Sequence, residues 1–374
     1  MKKEIKRSTV CGEDLCNGCM ACVDKCPKDA ITIVDSLASY NAVIDADKCI
    51  HCDLCKKVCT RCTPIEAKPP ILWKQGWASD ESIRCNGSSG GLASALSYTF
   101  IQNGGAVCSC VLRDGEFVFD IATSIEKIQD FAGSKYVKSN PKGIYRKIQE
   151  TLQKGKKLLF IGLPCQSAAV QQYVGKNDLL YTVDLICHGT PSPRMLSSFL
   201  KESGYPIAQA KNVQFRDKAD FCVSCDGKRI APKNVLDRYT LSFLKGIDYT
   251  ENCYSCDYAK TERVSDLTLG DSWGNQLSKE EQEKGVSLIV CQTQKGKELL
   301  DLAPLQLMDV DVAVALENNK QLSMPSAIPT ERTLFLKAVK KKKRFRVAVA
   351  KAYPKYCLRQ DVKARLIRLG LVKI

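Results

Sequence analysis

The chain has 374 residues, 44% hydrophobic and 26% charged, which is enough for two or three packed domains and too apolar for general disorder. Cysteine is the outlier, with 21 residues against only 2 histidines, His51 and His188, so sites built from several histidines are excluded. The formal charge of +15 sits at one end: residues 331–374 carry 15 Lys or Arg against 2 acids, leaving residues 1–330 a net of only +2.

No run approaches the roughly 18 apolar residues of a membrane span. Met1 to Val10 are charged and lack a secretory apolar stretch, so the expected location is the cytoplasm. In a reducing compartment, clustered cysteines of odd total read as thiolate metal ligands before disulfides.

Residues 1–66 are cysteine-dense and short on helical periodicity, which predicts a small domain held by metal. Cys16, Cys19, Cys22 and Cys26 follow C-x2-C-x2-C-x3-C, with Pro27 next, and Cys49, Cys52, Cys55 and Cys59 repeat the spacing. Thiolates three residues apart on a tight loop wrap three corners of a cubane, and the fourth reaches a neighbouring cluster. Two [4Fe-4S] clusters fit this better than paired structural zinc sites, which need only C-x2-C pairs.

The run Cys26-Pro27-Lys28-Asp29-Ala30-Ile31 resembles bacterial two-cluster ferredoxins. That resemblance implies Cys16, Cys19, Cys22 and Cys59 around one cluster, and Cys49, Cys52, Cys55 and Cys26 around the other. The second repeat departs in Thr60, where proline is usual, and Cys62 stands near enough to compete as a ligand. Cys11 reads as a spare thiol, and His51 as a residue at the surface or just outside the ligand set.

Pro64, Pro69 and Pro70 mark a linker. Residues 67–155 and 156–330 are expected as the N- and C-terminal parts of a mixed α/β body, so the fold class is α+β overall. Strands are predicted at 105–112, 157–163, 179–187 and 286–293, alternating with helices at 91–102, 143–153, 166–174 and 192–203. Ser88-Ser89-Gly90-Gly91 opens the first helix, where free N–H groups favour an anion; an ordinary helix start is the competing reading. Gly133-Ser134-Lys135-Tyr136 offers a cation and an aromatic face to a nucleotide cofactor.

Cys165 and Cys187 follow predicted strands, and Cys253 and Cys256 form a C-x2-C pair. Strand carboxyl ends in an open α/β sheet converge on one crevice, which makes these four a candidate third thiolate site. Buried free thiols and a zinc or chance pair are the alternatives. Cys85, Cys108, Cys110, Cys291 and Cys357 have no ligand pattern, and the pair Cys222 and Cys225 is left unassigned.

Residues 331–374 form a basic tail whose run Lys340 to Arg344 has no nucleic-acid-binding motif beside it. Leu334, Phe335, Val339, Phe345 and Val349 fit an amphipathic helix on anionic lipid or, more simply, docking onto the protein's own body.

Taken together, Ser88–Gly91, Gly133–Tyr136, Gly162-Leu163-Pro164-Cys165-Gln166, Asp184 to Ser192, Phe215-Arg216-Asp217-Lys218, Cys253–Cys256 and Asp266 to Gly274 resemble the coenzyme F420 hydrogenase/dehydrogenase beta-subunit family. The likeness runs from about residue 80 to 300, and with the N-terminal repeat it is similar to a bacterial branch found among polysaccharide-biosynthesis genes. It implies an FAD-binding iron-sulfur oxidoreductase passing electrons between ferredoxin-type clusters and a flavin.

By the same resemblance, Ser88, Ser89, Gly90, Gly91, Ser134, Lys135 and Tyr136 face FAD, and Cys165, Cys187, Cys253 and Cys256 hold a third [4Fe-4S] cluster. Expected partners are a ferredoxin or another oxidoreductase subunit, with a small-molecule or deazaflavin substrate. The alternative is a non-catalytic electron-carrier or adaptor subunit of a larger redox complex. Ser272 stands where an aromatic residue is commoner before Trp273, and Thr250 where an arginine is expected. His188 reads as structural, or as a group beside cluster or flavin.

Overall fold

The computed structural model describes residues 8–372. Most of the N-terminal stretch read for targeting, and Lys373 and Ile374 at the end of the tail, lie outside the described residues.

The cysteine repeats fold as a pseudo-symmetric pair: α1 (Ala21–Lys25), the hairpin strands β1 (Ile31–Asp35) and β2 (Tyr40–Ile44), and α2 (Leu54–Val58). The hairpin is antiparallel from Ile31 opposite Ile44 to Asp35 opposite Tyr40. Each short helix follows two left-handed residues, Gly18 (φ 71°) and Met20 (φ 59°) before α1, His51 (φ 53°) and Asp53 (φ 55°) before α2. Gly18 has no alternative, because a Cβ there would lie 2.8 Å from the Tyr40 ring and 2.9 Å from Lys138. His51 occupies the same turn position on an exposed loop, so its side chain points to water.

The body begins directly after the proline-marked linker, with β3 (Leu72–Ala78), α3 (Glu81–Asn86) and α4 (Leu92–Gln102). There follow β4 (Ala106–Arg113), β5 (Glu116–Ala122), α5 (Ile144–Gln153), β6 (Leu158–Gly162), α6 (Pro164–Val174), β7 (Leu180–Leu185) and α7 (Pro193–Glu202). Next come β8 (Val213–Asp217), β9 (Asp220–Cys225), β10 (Lys228–Arg229), α8 (Arg238–Leu244), β11 (Leu267–Asp271) and α9 (Lys279–Lys284). The chain continues through β12 (Ser287–Cys291), α10 (Gln294–Leu302), β13 (Leu305–Met308), α11 (Val312–Asn318), α12 (Arg332–Lys340), α13 (Phe345–Ala352) and α14 (Pro354–Arg368).

An 8-stranded mixed sheet runs β13-β3-β12-β11-β7-β6-β4-β5, and β8, β9 and β10 make a separate 3-stranded sheet. The centre, β4-β6-β7-β11, is parallel, and the flanking pairs are antiparallel. β6 and β12 are wholly buried, as their unbroken apolar runs require. Helix α6 starts before the predicted 166 because Pro164 suits the first helical turn and the Gln166 side chain accepts from Leu163 N (2.9 Å).

One apolar cluster joins the cysteine domain to the body, packing Cys16, Cys22, Tyr40 and Val58 with Tyr145, Ile148 and Tyr173 of α5 and α6. Another packs Phe335, Phe345 and Val349 of the basic tail against Phe199, Phe215 and Tyr239. The tail is therefore docked on its own body, with Leu334 left 54% exposed. Truncating Phe335 or Phe345 to alanine would cost about 3–5 kcal/mol, the usual range for a fully packed aromatic.

Candidate functional site

In the N-terminal domain the loops bring the cysteines together across the repeats. Burial raises the Cys22 thiol, and Cys19, Cys16, Cys59 and Cys55 add to the rise, so these sulfurs share one electrostatic neighbourhood. Cys55 is raised by burial and then by Cys26 and Cys49. Equivalent backbone amides serve equivalent sulfurs: Gly18 N donates to Cys16 Sγ and His51 N to Cys49 Sγ, both at 3.4 Å. Ala30 N donates to Cys26 Sγ at 3.4 Å.

Cys11 lies beside this group. Its thiol is the largest influence lowering those of Cys16 and Cys59. Cys62 also lies beside Cys59, and its thiol donates to Val10 O at 3.3 Å.

The four body cysteines are electrostatic neighbours. Cys165 lies in the first turn of α6, Cys187 just beyond β7, and Cys253 and Cys256 in and after the tight turn Glu251–Ser255. Burial pushes the Cys187 thiol far up, with Cys253, Cys165 and Cys256 adding to the shift. Cys165 is pushed up to about 12 by burial, against the opposing pull of Lys138. Thr190 and Thr250 hydroxyls lie 3.8 and 3.6 Å from Cys253 Sγ. Thr250, the departure from the family pattern, is thus a buried partner of this sulfur.

Such thiol groups, raised by burial and by one another, are the donor set that an iron-sulfur centre neutralises, since bound metal deprotonates its thiols outright. Among the described residues no three His, Cys, Asp or Glu side chains stand close enough together to hold a single metal ion.

Two cations tie the N-terminal and body groups together. Arg61 Nε donates to Leu15 O (3.1 Å) and Asn17 Oδ1 (3.3 Å), while its other nitrogens reach Asp257 (2.6 Å), Asn252 O (3.2 Å) and Ser255 O (3.1 Å). Lys138, buried, donates to Asn17 O at 3.0 Å and favours the thiolates of both Cys16 and Cys165. Cys165 in turn helps raise Cys19, so the two groups are electrostatic neighbours.

Beside the body cysteines lies a cavity of about 460 Å³, within the range of cofactor pockets. Its walls include Ser88, Ser89, Gly91, Ser134, Lys135 and Tyr136 from the predicted set, with Cys187 and His188. The 88–91 and 133–136 loops are joined by Ser134 N donating to Ser88 Oγ (2.8 Å). Helix α4 starts from left-handed Gly91 without a side-chain cap, and Leu92, Ala93 and Ser94 of its first turn face the cavity. Its uncapped amides suit a phosphate.

Two expectations need correction. Gly90 does not line the cavity: its N–H donates to Ser287 Oγ (2.9 Å), and a Cβ would lie 2.5 Å from Gly76 O, so it is a packing residue. Lys135 offers no free cation, because its ammonium donates to the carbonyls of Phe131 (2.6 Å), Ala132 (2.8 Å) and Gly133 (3.0 Å), and burial draws it down to about 8. Ser272 makes no cavity contact; it is buried with its hydroxyl on Gln75 Oε1 (2.7 Å).

The charged centre of the cavity is Arg216, given no role from sequence. It pairs with both oxygens of Asp271 (2.7 and 2.8 Å), donates to Ser88 O (2.6 Å), and stacks 4.9 Å from the Phe221 ring and 5.7 Å from Trp273. Tyr136 stacks on Phe243 at 4.4 Å. Lys218 fixes the glycine-serine loop by donating to Arg84 O (2.5 Å), Gly87 O (2.7 Å) and Ser89 O (2.9 Å). Asp266 is structural, accepting from Thr182 N (2.7 Å) and Thr293 Oγ1 (2.7 Å). Cys222 and Cys225 are buried in β9, and Cys222 donates to Val223 O (3.4 Å).

Cysteine repeats at ferredoxin spacing, docked on an α/β body that carries its own group of neighbouring cysteines, define an iron-sulfur protein of the oxidoreductase class. Residues 15–61 match the 4Fe-4S dicluster domain, residues 74–142 the N-terminal model and residues 155–308 the C-terminal model of the coenzyme F420 hydrogenase/dehydrogenase beta subunit. The chain belongs to that beta-subunit family. Among solved structures, a chain of the F420-reducing [NiFe] hydrogenase complex from Methanosarcina barkeri, studied by xenon derivatization, shares the fold. Its TM-score is 0.50 at 18% identity, over 68% of this chain and 91% of that one. No curated protein matches. Among the described residues no helix is long and apolar enough to cross a membrane.

Proposed function

We propose that the protein is an FAD-dependent iron-sulfur oxidoreductase whose N-terminal and body thiolate groups form one electron path ending at the cavity. The observation that carries this reading is the double position of Cys187, which belongs to the body thiolate group and to the cavity wall. Cys16, Cys19, Cys22 and Cys59 would hold one [4Fe-4S] cluster, Cys26, Cys49, Cys52 and Cys55 the second, and Cys165, Cys187, Cys253 and Cys256 the third. FAD, when bound, supplies two-electron exchange with a substrate and one-electron exchange with iron-sulfur centres.

The chain's own residues shape that chemistry. Ser88, Ser89, Gly91 and the first turn of α4 would hold the phosphates, and Tyr136, Phe221 and Trp273 supply aromatic walls. The Arg216–Asp271 pair, with Arg216 anchored to Ser88 O, fixes the spacing of those walls. A ferredoxin or a partner oxidoreductase subunit would meet the N-terminal domain, where Cys52 is exposed. The cytoplasmic setting, with polysaccharide biosynthesis as context, belongs to the same reading and directs the substrate screen to reducible sugar-linked compounds and deazaflavins.

Gel filtration of the iron-replete protein after incubation with FAD tests the cofactor. The expected result is one FAD retained per chain, with quenching of indole fluorescence that diminishes in Trp273→Phe. A folded, iron-replete chain that retains no flavin would contradict the proposal.

A further inference from the structure

Helix α14 has two unlike faces. Cys357 packs on the α7/α8/α13 core, Ala364 and Ile367 pack beneath the β9 region, and the Gln360 side chain accepts from Leu236 N (3.1 Å). The opposite face is exposed: Leu358 is 65% exposed, Val362 50% and Leu369 63%, followed by Leu371 at 68%. Spacings of four and seven residues place Leu358, Val362 and Leu369 in one stripe.

The stripe is bordered by exposed Lys355, Arg359, Arg365 and Arg368, and the turn Lys340 to Arg344 between α12 and α13 is exposed as well. Asp361, the only acid after Glu331, is already paired with Arg238 at 2.7 Å. The face is therefore cationic and apolar at once. An acidic protein surface would answer the charge and leave the leucines in water. An anionic bilayer satisfies both, with the leucines entering the headgroup boundary while long basic side chains reach the phosphates.

We propose that the outer face of α14, with the Leu369–Val372 segment behind it, docks the protein on an anionic lipid surface as a peripheral contact. This inference stands apart from the cofactor reading, since it uses none of the cavity residues.

Co-sedimentation of the full, reconstituted chain with phosphatidylcholine vesicles, with and without phosphatidylglycerol, tests it. Binding is expected only with phosphatidylglycerol and is expected to fall with added salt. The exposed pairs Leu358→Ser with Leu369→Ser, and Lys355→Glu with Arg359→Glu, should each weaken it roughly tenfold or more, with iron content and circular dichroism unchanged. Equal sedimentation with both vesicle types, or wild-type binding by both double variants, would overturn the proposal. So would a lipid-free dimer abolished by the leucine pair, which would make a second copy of the chain the occupant.

Discussion

Replacing Cys187 with serine is expected to lower iron from about twelve to about eight per chain and to stop electron flow from the N-terminal clusters to the flavin. Cys187 is the sulfur that faces both ways, grouped with Cys165, Cys253 and Cys256 and exposed to the cavity. A hydroxyl in its place changes one atom of the cavity wall, so FAD retention should stay close to that of the parent. Chemical reduction of the flavin with dithionite should then survive, while reduction through a reduced ferredoxin is lost. Cys85→Ser, at an exposed position, is the matched control. Full iron content and unchanged ferredoxin-driven reduction in Cys187→Ser would remove the body site from the path.

The second large effect is expected at Arg61, whose side chain is only 10% exposed and whose donors span the N-terminal loop and the Cys253–Cys256 turn. Arg61→Ala removes the donors shared by carbonyls on both sides and releases Asp257, at a cost of about 2 kcal/mol. A loss of that size raises the population of the undocked interface roughly thirtyfold. Hydrogen exchange should accelerate at 59–66 and 250–258, with iron content held and transfer between the two thiolate groups slowed. Lysine can keep one of these contacts without the planar fork, so Arg61→Lys should restore only part of the docking. Exchange unchanged from wild type in Arg61→Ala would show that the apolar contacts of Tyr145 and Tyr173 hold the interface without it.

What could be read from sequence divides by the range of the interaction. The cysteine repeats were legible because cluster ligation is local, and β6 and β12 because their apolar runs are unbroken. β3 was hidden by Lys74, Gln75 and Gly76, which break the apolar run and sit close to the prolines. Gly76 is there for packing: Gln306 O of β13 lies 2.0 Å from where a Cβ would stand.

In the site, the glycine-serine and Ser134–Tyr136 loops were legible as cavity walls, whereas the use of each side chain was not. Gly90 turns into the sheet, Lys135 closes its own loop, and Arg216 becomes the central charge only once Asp271 arrives beside it from β11. Arg61 gave no signal, because its partners in the body lie nearly two hundred positions away along the chain.

The most direct test of the whole account is iron, acid-labile sulfide and released flavin measured on one anaerobically purified sample. About twelve irons, matching sulfide and one FAD per chain are expected. About eight irons and no flavin, in a folded chain offered FAD, would confine the redox groups to the N-terminal domain and leave an electron-carrier or adaptor subunit in place of the enzyme.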